Sequence, residues 1–417
     1  MNIDMIYNRY KLKKIKIIPE NIMRIKISKG KIKSNRKIIT IKSDTYVQIE
    51  QLTNKEVKNE EHISTRDSNV SFFHPCRLIE CCMESNSTLL PYILVLGSVI
   101  VKSSSGDVYQ EEKDYKVSYK WPCVWTLETG KIKDKEKIFI DYKYSLARID
   151  TIYVMEDGTV GIKKGVEKRE SPKPPELDKD CIPLANVYLP YNTNTITEQN
   201  IYPIGQLPKV TEKELKQKSK YVKKTLEKLK NGQPVKIVFW GDSVTEGGDA
   251  RPLNKAFAYL FPQVLQEKFP KSRIEAINKG IGGTNTDQRL PNFKKDVIDN
   301  NPDLVIIEFI NDTGFSIEKI YENYTEIIGE LKKIGSEIII ITPHIPLEGL
   351  YCNFFEAVNT WRLIAKSEKI GLCDVTKAWA NIALKGIPPQ SLLYNGINHP
   401  DNDGHKIFVD ELMNFFL

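Results

Sequence analysis

The stretch Val235-Lys-Ile-Val-Phe-Trp-Gly-Asp-Ser-Val-Thr-Glu-Gly247 decides the fold of the carboxyl-terminal part of the chain. It begins with a nearly unbroken apolar run and passes at once into a Gly-Asp-Ser turn. A short apolar run closed by turn residues reads as a strand buried on both faces. Four more such runs follow: IEAIN (274–278), DLVIIEFI (303–310), EIIIIT (337–342) and GLCDV (371–375). Helical patterns lie around 254–268, 287–299, 316–334, 353–368 and 403–416. Five alternating strand–helix units with such apolar strands predict a five-stranded parallel sheet covered by helices on both faces.

In an open parallel sheet, ligands bind beyond the carboxyl ends of the strands. The segments that follow the apolar runs therefore hold the candidate chemistry. They are Gly241-Asp242-Ser243-Val244-Thr245-Glu246-Gly247, Lys279-Gly280-Ile281-Gly282-Gly283-Thr284, Ile310-Asn311-Asp312 and, past the last strand, Asn395-Gly396-Ile397-Asn398-His399-Pro400. Together they suit acyl transfer. A serine hydroxyl is a poor nucleophile until a base takes its proton, and the tetrahedral intermediate needs donors aimed at its oxyanion. Ser243 is the candidate nucleophile and His399 its base. The main-chain N–H groups of Ser243 and Gly283 and the side-chain amide of Asn311 are the candidate oxyanion donors, with Gly282 as the alternative glycine. Plainer readings exist for each: a helix cap for Ser243, a turn glycine for Gly283, a turn residue for Asn311. Their joint occurrence at strand ends favours the catalytic reading. His405, at the start of the last helix, reads as structural. His344 reads as a loop residue on the correct sheet edge. Tyr351, Phe354 and Trp361 read as helix-core residues, one of which can floor a substrate cleft.

The blocks GDSVTEG, NKGIGGT, FIND and NHP, in that order, resemble the SGNH (GDSL-like) hydrolase superfamily over roughly residues 234–417. The resemblance implies a flavodoxin-like three-layer α/β/α sandwich. It also implies that Ser243, Gly283, Asn311 and His399 are the namesake residues, and the Ser–His chemistry requires no metal or organic cofactor. One position departs from the family pattern. The usual Asp three residues before the histidine is here Gly396, and the nearby Asn395 and Asn398 carry no charge. A Ser–His dyad is therefore expected, with a main-chain carbonyl of Asn395–Gly396–Ile397 or one of the two asparagines orienting the imidazole.

Toward the amino terminus the pattern changes. Residues 1–70 alternate apolar and polar side chains, as in Arg24-Ile25-Lys26-Ile27, and read as a small basic β-element. Residues 1–40 hold 12 Lys/Arg against two acids, Asp4 and Glu20. Such an arm can attract nucleic acid, anionic polysaccharide or lipid headgroups. The simpler reading is a solvated Lys-rich surface with no specific nucleic-acid partner. Residues 71–209 read as an all-β, sandwich-like accessory module. In it Ile138, Ile140, Tyr142 and Tyr144 share a strand face, and Asp157-Gly158 marks a hairpin. Its segments DYKV, DYKY, RIDTIYV and LANVYL resemble modules joined to SGNH domains in some bacterial and phage-encoded proteins. Residues 210–232 read as a connector helix with Leu215, Val222, Leu226 and Leu229 on one stripe.

The 417 residues fit two or three domains, and 41% apolar with 28% charged content fits a globular chain. Neither a signal-peptide pattern nor a transmembrane run is visible, and the seven cysteines are odd in number and irregularly spaced. A cytoplasmic protein with reduced thiols is expected, with unconventional export or virion association as the alternative. His74, Cys76, Cys81 and Cys82 match no zinc spacing, so no metal is expected. The expected activity is removal of acetyl or other short acyl groups from a carbohydrate. The accessory β-module and the lack of a long apolar lid segment support that choice. A lipase or thioesterase acting on longer chains, and a structural or glycan-binding virion protein carrying an esterase domain, are the alternatives.

Overall fold

A computed structural model of the protein describes residues 15–33, 38–84, 88–205 and 207–417. The first fourteen residues of the basic arm lie outside the described residues. The chain divides into two compact units. One holds residues 1–206 with 383–391 and 395–397, and the other holds 207–382, 392–394 and 398–417.

The first unit is built from antiparallel β-sheets. Ile17–Asn21, Arg24–Ile27 and Thr45–Gln48 form a three-stranded sheet, and Gly30–Lys33 pairs with Ile38–Ile41. The Arg24–Ile27 alternation places Ile25 and Ile27 wholly inside, as the period of two requires. Those isoleucines join one core with Ile152, Val154, Leu184, Val187 and Leu189. That second group comes from the four-stranded sheet of Arg148–Met155, Val160–Lys163, Cys181–Leu189 and Ile201–Pro203. The small amino-terminal element and the later strands thus bury a common face. The Asp157-Gly158 turn joins Arg148–Met155 to Val160–Lys163 as an antiparallel hairpin. Ile138, Ile140, Tyr142 and Tyr144 are all buried along Lys137–Ser145, and Asp141 on the opposite face pairs with Lys102 at 2.7 Å. His74 spends both ring nitrogens on main chain: Nδ1 accepts from Cys76 N–H at 3.1 Å, and Nε2 lies 2.8 Å from the Asp67 carbonyl. Burial pushes the Cys81 thiol well up and the Cys82 thiol up to about 11, so both stay protonated.

In the second unit the connector is a broken helix. Glu212–Ser219 begins with a capping box between Thr211 and Glu214, and a tight turn at 220–222 precedes Lys223–Lys230. Val222, Leu226 and Leu229 are buried, and the Glu337 carboxylate caps Lys224 N–H and Thr225 N–H at 2.8 Å each.

Beyond it run five parallel strands: β1 (Val235–Gly241), β2 (Ile274–Gly280), β3 (Leu304–Glu308), β4 (Glu337–Thr342) and β5 (Gly371–Asp374). Their order is β2-β1-β3-β4-β5, the flavodoxin-like arrangement. Alternate residues of β1 explain its apolar run. Val238 and Trp240 face a core that includes Ile320, Ile327 and Leu331 of Ile317–Lys333 and Trp361 of Phe354–Glu368. Phe239 points the other way, edge-on to Phe257 and Phe261 of Phe257–Lys268. Both faces are covered, which gives three layers. The helical pattern at 287–299 resolves into short turns, because Pro291 has no N–H to donate and opens a new turn instead. Among the described residues, no helix is long and apolar enough to cross a membrane.

Candidate active site

The strand order reverses direction between β1 and β3, and the loops there converge at the carboxyl edge of the sheet. β1 ends at Gly241, and Asp242 caps the one-turn helix Ser243–Glu246. Its Oδ1 accepts from Val244 N–H at 3.0 Å while its Oδ2 accepts from Asn311 N–H, also at 3.0 Å. A single buried carboxylate thus sets the separation of the Ser243 turn and the loop after β3. Asp312 makes a second stitch, accepting from Thr286 N–H at 2.9 Å and so holding the loop after β2. In the pair Asn311-Asp312 the first residue is partly open to solvent and the second is fully buried.

Ser243 Oγ lies 2.9 Å from His399 Nε2. On the other side of the ring, His399 Nδ1 lies 2.7 Å from Asp249 Oδ2. This corrects the expected orienting group. A ring nitrogen has one hydrogen or one lone pair, and at Nδ1 it is engaged by the Asp249 carboxylate rather than by a main-chain carbonyl of 395–397. Asn395 Oδ1 instead accepts from Ile397 N–H at 2.9 Å, and the Asn398 amide donates to the Tyr351 hydroxyl at 3.2 Å. This carboxylate comes from the loop that follows Ser243, six residues beyond it. Asp249 adopts φ 61°, a conformation that Asp tolerates better than most residues. Its other oxygen lies 3.5 Å from the Arg251 guanidinium. Gly248 makes room for this arrangement: a Cβ there would stand 2.9 Å from His399 Cε1 and 3.0 Å from Nδ1. The sequence signal was Gly247-Gly248-Asp249, two small residues and an acid in the loop next to Ser243.

Of the two candidate glycines, Gly282 has its N–H taken by the Glu246 carboxylate at 2.8 Å. Gly283 adopts φ +71°, is exposed, and a Cβ there would meet nothing within 4 Å. Asn311 Nδ2 donates to the Thr284 carbonyl at 3.0 Å, and its Oδ1 accepts from Tyr351 Oη at 3.1 Å. Phe354 and Trp361 lie in the helix core as expected. His344 is fully buried, its ring 4.8 Å from that of Trp379, and burial holds it neutral by pushing its pKa well down. His405 is likewise buried beside Phe257 and Phe408, and its pKa is pushed down to about 4.

Behind these loops lie three carboxyls that the motif reading did not single out. Burial pushes Asp242 up to about 6 and Asp312 up to about 7. Glu308 is pushed well above its ordinary 4.5, first by burial and then by Asp242. Glu308 Oε2 accepts from Thr245 Oγ1 at 3.0 Å, while Oε1 is buried without a hydrogen-bond partner. The folded chain therefore keeps a proton on Glu308 that the unfolded chain releases above pH 4.5, so this group lowers stability as pH rises. Glu308→Gln preserves the shape and removes the proton equilibrium. Its Tm is expected to exceed the wild type's at pH 8 by at least about 3 °C, with the gap closing toward pH 4.5. Thermal melts across that range check it, and an equal or lower Tm at pH 8 contradicts it.

Comparison with known proteins gives the following. Residues 239–407 match the GDSL-like lipase/acylhydrolase family, and residues 97–233 match a domain of unknown function, DUF4815. An acetylxylan esterase of Geobacillus stearothermophilus is 25% identical over 205 residues, covering 43% of this chain and 93% of that protein. A crystal structure of an acetylxylan esterase from the same organism superposes at TM-score 0.39 with 24% identity, covering 44% of this chain and 94% of that one. An alpha/beta hydrolase enzyme from the metagenome of Lake Arreo, Spain, gives TM-score 0.39 at 20% identity with the same coverage.

Proposed function

We propose that this chain, an ester-bond hydrolase carrying a GDSL-like lipase/acylhydrolase domain of the SGNH superfamily, works through a Ser243–His399–Asp249 triad and removes short acyl groups from a carbohydrate. The observation that carries the triad is the relay from Asp249 Oδ2 to His399 Nδ1 at 2.7 Å and from Nε2 to Ser243 Oγ at 2.9 Å. Ser243 Oγ attacks the ester carbonyl carbon as His399 Nε2 takes the hydroxyl proton. The negative charge that develops on the carbonyl oxygen is met by the N–H groups of Ser243 and Gly283 and by the Asn311 amide. The imidazolium, stabilised by Asp249, returns the proton to the leaving alcohol oxygen and frees the alcohol. Water then attacks the acyl-serine with His399 as base, releasing the carboxylic acid and restoring Ser243.

The preference for a short acyl group on a sugar is supported by the acetylxylan esterase relative and by the accessory β-rich region in the same chain. The test compares acetyl with octanoyl p-nitrophenyl esters and then screens acetylated mono- and oligosaccharides. A kcat/KM at least tenfold higher for acetyl, with acetate released from an acetylated sugar, is the expected result. Preference for octanoyl would move the assignment to long-chain acyl substrates.

A further inference from the structure

We infer that Tyr351 is a positioning residue for Asn311, holding its amide so that an N–H faces the developing oxyanion. The inference rests on the reading of Asn311 as an oxyanion donor. A primary amide has an oxygen and a nitrogen of nearly equal size, so its orientation must be imposed by its partners. Two partners impose the same one here. The Thr284 carbonyl accepts from Nδ2 at 3.0 Å, and Tyr351 Oη donates to Oδ1 at 3.1 Å. Turned over, Asn311 would set its oxygen against a carbonyl oxygen, two acceptors in contact. Asn398 fixes the direction of the phenol: its Nδ2 donates to Tyr351 Oη at 3.2 Å, so the single phenolic hydrogen is left for Asn311.

The chain Asn398 to Tyr351 to Asn311 to Thr284 consumes one of the two Nδ2 hydrogens and leaves the other for substrate. Asn311 is also fixed at its main chain, since its own N–H is held by Asp242. The Tyr351 ring packs against the same core as Trp361, which anchors the hydroxyl at the far end. Burial pushes the phenol's pKa up, so it remains a donor throughout the working pH range. Because Asn398 adjoins His399, the chain joins the loop carrying the base to the group stabilising the charge.

The test uses the full chain and p-nitrophenyl acetate. Tyr351→Phe is expected to lower kcat about 10- to 50-fold with KM changed less than about threefold, since the interaction it supports is made in the transition state. Asn311→Ala is expected to cost about 10²–10³. In the Asn311→Ala background, adding Tyr351→Phe should cost less than about twofold, as for two residues acting through one group. A Tyr351→Phe enzyme within twofold of wild type, beside a crippled Asn311→Ala, overturns this inference alone. An equal loss from Tyr351→Phe in both backgrounds also overturns it, because it marks a merely structural role. Undiminished kcat in Asn311→Ala overturns the oxyanion assignment and this inference with it. Should Tyr351→Phe fail to fold, Asn398→Ala breaks the chain one link away. Its few-fold loss of kcat must then vanish when Asn311 is absent, and persistence of that loss overturns the inference.

Discussion

Ser243→Ala is expected to abolish ester hydrolysis, leaving less than about one part in 10⁴ of wild-type kcat, with a Tm within about 2 °C of wild type. Loss of a triad nucleophile removes the covalent route and leaves only the residual help of oxyanion donors and substrate binding. The hydroxyl is not part of the scaffold. Its turn is held by Asp242 through Val244 N–H and by the Ser243 carbonyl, which accepts from Gly247 and Gly248 N–H at 3.1 and 2.8 Å. None of these bonds uses Oγ, so the fold survives the substitution. Activity of Ser243→Ala above a few per cent, measured with matched melting curves, would remove Ser243 from the mechanism.

Asp249→Asn is expected to lower kcat about 10³- to 10⁴-fold while KM stays near its wild-type value. In serine proteases the corresponding Asp-to-Asn change costs about 10⁴, because the imidazole is then held in the wrong tautomer. The geometry is the same in kind: a carboxylate 2.7 Å from Nδ1, its side chain 8% exposed, which weakens competition from water. An amide there can present its N–H to Nδ1 and leave Nε2 carrying the hydrogen, unable to accept the serine proton. His399→Ala should be as inactive as Ser243→Ala. Asn395→Ala, which loses the cap on Ile397 N–H, should cost less than about tenfold. A thousandfold loss at Asn395 with near-normal Asp249→Asn would reverse the assignment of the orienting group.

The sheet was legible because β1, β3 and β4 are buried on both faces, so their central residues run apolar almost without interruption and turn residues close each run. The meeting of Ser243 and His399 at the carboxyl edge followed from the rule that the segments after the strands share that edge. Asp249 was not legible in the same way. Its position depends on the path of a loop through a left-handed residue and past a glycine, and nothing periodic in the sequence encodes such a path. Tyr351 was hidden for another reason. Its ring does what core aromatics do, and only its hydroxyl reaches Asn311, so burial and chemistry divide within one side chain. The amino-terminal strands were visible by their alternation. Their shared core with Arg148–Met155 and Cys181–Leu189 was not, since pairing between distant strands leaves no local trace.

Placing Asp249 in the loop that begins at Ser243 has a consequence for how the site can change. In the proposed triad, nucleophile, one main-chain oxyanion donor and acid are all encoded by a single contiguous stretch of nine residues, Gly241 to Asp249. That stretch is a cassette, and the tail of the domain supplies the imidazole together with Asn398, which fixes Tyr351. Where the acid sits three residues before the histidine, insertion, deletion or recombination in that final loop puts two catalytic groups at risk together. Here the part of the final loop ahead of Asn398 can change in length or contacts while the acid stays in place. The liability moves to the cassette, where a one-residue insertion between Gly247 and Asp249 would uncouple base and acid while leaving every strand of the sheet intact.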